Sequence, residues 1–109
     1  MSRLSALLIL LIAALLEAGG DALVRSALHS TATATRVAFF ALGAILLFSY
    51  GYMVNKPAWD FGRLLGIYIV FFFVVAQAIS WLVFNQRPTT PVVVGGAFVV
   101  AGGVVMSMF

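Results

Sequence analysis

Residues 4–28 read LSALLILLIAALLEAGGDALVRSAL. From Leu4 to Leu16 no side chain is charged, and the apolar character continues past Glu17 through Ala18, Gly19 and Gly20 to Val24. A helix needs roughly 20 mostly apolar residues to cross a bilayer, and this stretch is that long. With Arg3 ahead of it, the segment has the outline of a secretory signal. Its length beyond Leu16, and the three further apolar runs behind it, favour a retained first spanning helix.

Working outward, the apolar runs lie near 4–28, 37–54, 61–84 and 91–108. The breaks are residues 29–36, rich in Thr and Ala, 55–60 around Pro57, and 85–90 around Pro88. The expected fold is an all-α membrane protein: a single domain over 1–109, built as a four-transmembrane-helix bundle. Connections this short make consecutive helices antiparallel neighbours and put both termini on one side. Composition agrees, since 64% of the residues are hydrophobic and 8% are charged. A water-soluble domain of this size has no way to cover so much apolar surface.

The same numbers exclude several functions. The net charge is +3, but Arg3, Arg25, Arg36, Lys56, Arg63 and Arg87 are scattered, so nucleic acid is not an expected partner. There is no cysteine and a single histidine, His29, so no metal or other cofactor is expected. Neither a nucleophile–base pair nor a ring of charges suited to an ion filter is visible, which argues against an enzyme and against a channel. Tyr50, Tyr52, Trp59, Trp81 and Phe84 stand near helix ends, where amphipathic rings anchor in the headgroup region.

Orientation follows from which side holds more Lys and Arg. Arg3, Lys56 and Arg63 fall on one side and Arg25, Arg36 and Arg87 on the other. Such a chain inserts either way up, allowing two copies to meet in opposite orientations, unless one loop charge decides the matter.

Glu17 is the residue most suited to chemistry. An ionised carboxylate in the middle of a spanning helix is costly, and acids there default to functional sites. One carboxylate can hold a proton or a cation but not both, which is the physical basis of antiport. Asp21 and Arg25 follow at successive turns, so Glu17, Asp21 and Arg25 form one stripe. Asp21 either pairs with Arg25 or, if Arg25 snorkels toward the headgroups, becomes a second titrating group; the pair is the favoured reading. Arg63 shares a face with Gly66, Val70 and Gln77. It either snorkels, contacts Asp60, or reaches Glu17 or Asp21 across the bundle or in a partner chain. Gln77 and Ser80 read as interhelical hydrogen-bonders, with Gln77 also a candidate substrate contact. Gly95, Gly96, Gly102 and Gly103 form two pairs seven residues apart, a smooth strip suited to dimerisation.

Taken together, these residues resemble the small multidrug resistance transporters and the related YnfA-type membrane proteins of the drug/metabolite transporter superfamily. Glu17, Gly20 and Arg25 stand where that family has its essential glutamate, a glycine three later and a basic residue eight later. Ser80, Trp81, Gln86, Arg87, Pro91, Gly95 and Gly102 follow in the same order and spacing. Gly62, Arg63, Gly66 and Tyr68 are similar to the YnfA-type branch, and Tyr68 lies near the position of the multidrug members' substrate-stacking tryptophan. Where those members have a Gly-x-Gly hinge, Ile69–Phe73 is bulky.

The resemblance implies an antiparallel, dual-topology homodimer in a bacterial-type inner membrane. That dimer would export small cationic or amphiphilic solutes with protons as the coupling ion. Glu17 of each protomer would share one site lined by Tyr68 and Phe72, with Asp21, Arg63 and Gln77 as further candidates, and the glycine pairs would form the dimer contact. The alternative is a membrane subunit without transport, structural or half of a heterodimer, in which the charges of Glu17, Asp21 and Arg63 are paired internally.

Overall fold

The computed structural model describes residues 1–109 as four helices and no strand: α1 (Arg3–Leu28), α2 (Thr33–Val54), α3 (Phe61–Leu82) and α4 (Thr90–Met108). All four are long and apolar enough to cross a membrane. At about 1.5 Å per residue even α4 spans nearly 30 Å, the thickness of the hydrocarbon layer. Ser2 caps α1 by accepting from the Ser5 N–H at 3.1 Å, and Pro91 sits in the first turn of α4, where its missing N–H costs nothing.

Two boundaries differ from the sequence expectation. α2 begins at Thr33, so the first break is only four residues long and Arg36 lies in the first turn of the helix. A helix entering a membrane can start with polar turns in the headgroup region, where hydropathy does not register it. α3 ends at Leu82 because Asn85 takes a left-handed backbone conformation, φ 55°, which turns the chain toward α4.

Only 16 of the 109 residues are buried, while Leu82, Phe48 and Phe98 are more than 70% exposed. Such an apolar exterior is what lipid demands and water would not tolerate. The buried core joins Leu10, Ala13, Ala14 and Ala18 of α1 to Val54 of α2 and to Leu64, Ile67, Tyr68 and Val75 of α3. α1 is the hub: its backbone packs closely against both α2 and α3, whereas α4 packs on α3. Consecutive α2 and α3 are therefore not the close neighbours that short loops suggested. They meet through long side chains such as Tyr50 and Tyr68.

Close approach requires glycine at two crossings. At the α1–α2 crossing, a Cβ on Gly20 would stand 3.1 Å from the Gly43 carbonyl oxygen, and a Cβ on Gly43 equally near that of Gly20. At the α3–α4 seam, Gly96 receives Phe73 and Gly103 receives Val70, while Met106 lies over Gly66. Both chain termini lie at one end of the bundle, as expected from four antiparallel spans: Arg3 donates to the Ser107 carbonyl at 3.0 Å.

Candidate functional site

α3 presents two separate faces, and they decide which candidates come together. Leu64, Ile67, Tyr68 and Val75 are its buried residues and form its face toward α1. Arg63, Gly66, Val70, Phe73 and Gln77 recur at three- and four-residue intervals on a second face, covered by α4.

On the first face the Tyr68 hydroxyl donates to Glu17 Oε1 at 2.8 Å. Tyr68 is buried and Glu17 half-buried near the middle of α1. The Tyr50 ring lies 5.5 Å from that of Tyr68, tilted by 31°, and the Phe72 ring 6.3 Å from it, tilted by 35°. An acidic oxygen is thus bonded to the central member of a cluster of three aromatic rings, and Oε2 receives no protein donor. Carboxylate plus ring faces is the chemistry that recognises a cation.

Tyr50 was expected only as an interfacial anchor. Its signal in the sequence is the spacing Gly43, Leu47, Tyr50 and Val54, which puts it on the face of α2 that packs on α1. Tyr52, two residues on, is 64% exposed and fits the anchoring role.

Asp21 lies one turn from Glu17 and is exposed, lining a hollow of about 280 Å³ with Arg25, Phe72, Ser80, Phe84 and Gln86. The favoured Asp21–Arg25 pair does not form. The Arg25 guanidinium instead sits 5.3 Å from the centre of the Phe84 ring, having turned toward the helix end. That leaves Asp21 without a counter-charge in its own chain.

Three other candidates lie apart from the Glu17 carboxylate of their own chain. Arg63 does not reach Glu17 or Asp21; it donates to the Ser107 carbonyl at 3.4 Å, because its face belongs to α4. Gln77 lies on that same side, lining an apolar groove with Pro88, Val92, Gly96 and Val100, and so stands away from the carboxylate. Ser80 bonds no other helix but closes the loop after its own, to the Gln86 carbonyl and side chain at 3.3 and 3.4 Å. The glycine pairs are divided between two settings. Gly96 and Gly103 are buried against α3, whereas a Cβ on Gly95 or Gly102 would meet nothing within 4 Å.

No group of three or more His, Cys, Asp or Glu is positioned to hold a metal ion. What the fold and site define is a small multi-pass helical membrane protein with a carboxylate, bonded to a tyrosine, inside its helix bundle. Residues 3–109 match the family described as uncharacterised BCR, YnfA/UPF0060 family. The chain belongs to this family of small membrane proteins, which is akin to the small multidrug resistance proteins. Neither the curated proteins nor the solved structures contain a match to it.

Proposed function

We propose that this protein is a proton-coupled exporter of small cationic or amphiphilic solutes in a bacterial-type inner membrane, acting as an antiparallel homodimer. The observation that carries the reading is the Glu17 carboxylate held by the Tyr68 hydroxyl at 2.8 Å beside the rings of Tyr50 and Phe72. A proton and an organic cation compete for that carboxylate. Entry of one expels the other, and exchange of conformation between two oppositely oriented copies would expose the site to each side in turn. Protons serve as the coupling ion in this reading, with no further cofactor and no covalent chemistry.

The paired-charge alternative, a membrane subunit without transport, needs partners for Glu17 and Asp21. Within the chain Arg63 bonds the Ser107 carbonyl and Arg25 lies over Phe84, so neither pairs with Glu17 or Asp21, which supports the first reading. The test is proton release from purified protein in weakly buffered detergent solution when organic cations such as a tetraphenyl phosphonium are added. Wild type should release protons saturably and Glu17→Gln should not. Equal release from both would overturn the shared site.

A further inference from the structure

At the end of the bundle shared by both termini, a cavity of about 420 Å³ opens between α1, α3 and α4. Arg3 and Arg63 stand at its rim with Asp60, and Trp59, Leu7 and Ile67 form an apolar wall. This cavity is separate from the Glu17 site and is lined by none of its residues.

The two arginines come from different helices and converge on one atom. Each gives a single Nη2–H to the Ser107 carbonyl, at 3.0 Å from Arg3 and 3.4 Å from Arg63. A guanidinium carries five N–H donors, so most of both forks have no acceptor in the protein. The Ser107 carbonyl belongs to the last turn of α4, where the helix dipole is negative. That attraction holds two like charges close together. Asp60 is the one acid of the lining, so the cluster keeps a net positive charge. Paired planar forks match the oxygens of a phosphate bidentately. The cluster also lies at helix ends, the depth at which lipid phosphates and tryptophan rings collect.

We infer that this cavity binds a phosphate-type anion, supplied in the membrane by the phosphodiester of an acidic phospholipid whose acyl chain passes the half-exposed Leu7. Trp59 closes the side of the site at headgroup level. Because the same forks hold Ser107, the bound phosphate would bridge the C-terminal end of α4 to the starts of α1 and α3.

The experiment is native mass spectrometry of the full chain in detergent, titrated with phosphatidylglycerol and, separately, phosphatidylcholine. Inorganic phosphate is added as competitor in a third arm. Wild type should prefer phosphatidylglycerol, and Arg3→Gln with Arg63→Gln should lower that affinity by about tenfold or more, the scale of one lost charge-assisted hydrogen bond. A companion double variant, Arg3→Lys with Arg63→Lys, keeps both charges but not the forks, and should retain binding at several-fold lower affinity. It separates loss of the site from loss of the fold. Displacement of the lipid by millimolar inorganic phosphate would uphold the anion site and assign it to soluble phosphate. Equal binding of the two lipids, or undiminished phosphatidylglycerol binding by the glutamine variant, would overturn the inference.

Discussion

Glu17 and Tyr68 are 51 positions apart and meet through one 2.8 Å hydrogen bond. Tyr68→Phe keeps the ring and removes the donor, so its effect isolates that bond. The expected result is a folded protein whose cation affinity changes by about threefold to tenfold, the worth of one net hydrogen bond, while Glu17→Gln abolishes cation-linked proton release. Competition at one carboxylate also sets the sign of the pH dependence. As pH falls and Glu17 is protonated, the apparent affinity for an organic cation should weaken, approaching about tenfold per pH unit where the acid is mostly neutral. Isothermal titration at several pH values would show it, and a flat profile would count against the shared site. Asp21, without a charge partner and exposed in the single chain, is expected to steepen this dependence; Asp21→Asn should flatten it partially. At this scale Glu17 and Asp21 were legible because acids are rare inside spanning helices. The resemblance placed Tyr68 in the same site, but its bond to Glu17 was not legible, since nothing in the local pattern says which polar atom a ring reaches.

The helices are joined by complementary relief as much as by apolar area, because lipid supplies no hydrophobic drive between them. Along the α3–α4 seam Gly96 takes Phe73 and Gly103 takes Val70. Gly103→Ala and Gly96→Ala force those side chains to move, and overpacking of this kind typically costs about 1–3 kcal/mol. Both should lower the thermal midpoint in detergent. Gly102→Ala meets nothing within the chain, so its seam should be intact. In the proposed homodimer the open strip of Gly95 and Gly102 is the available contact, and Gly102→Ala should shift cross-linked dimer toward monomer with an unchanged midpoint. The spacing of all four glycines was readable from the sequence. Their division between an internal seam and an open strip was not, because adjacent residues point about 100° apart and only packing tells which one is covered.

As a whole the molecule is a slender body of 49 × 34 × 19 Å with an apolar exterior. Its basic residues are balanced between the two ends, three to each, when Arg63 is counted with Arg3 and Lys56. The structure leaves that balance intact, since Arg36 joins α2 at the same end as Arg25 and Arg87. Insertion in both orientations is therefore the expected behaviour, with C-terminal reporters active on either side of the membrane. Asn55→Lys adds a charge to the end that holds both termini and should bias insertion toward one orientation. If the transporter is an antiparallel homodimer, that bias should also reduce its activity; retained activity at single orientation would point to a parallel or monomeric species.

The amino-acid sequence by itself determined that this chain crosses a membrane four times, that its termini share a side, and that Glu17 is its central polar group. Each of these depends on composition or on the period of a single helix, quantities that need no knowledge of neighbours. Only the tertiary structure decided that α1 rather than loop order governs the packing, and that Arg25 turns to Phe84 instead of Asp21. It likewise decided that Arg63 and Gln77 belong to the α4 side and that Tyr50, expected only as an anchor, joins Tyr68 near the acid. The reason is physical: helical spacing tells which residues share a face, but what that face meets is set by shape complementarity between helices far apart in the chain.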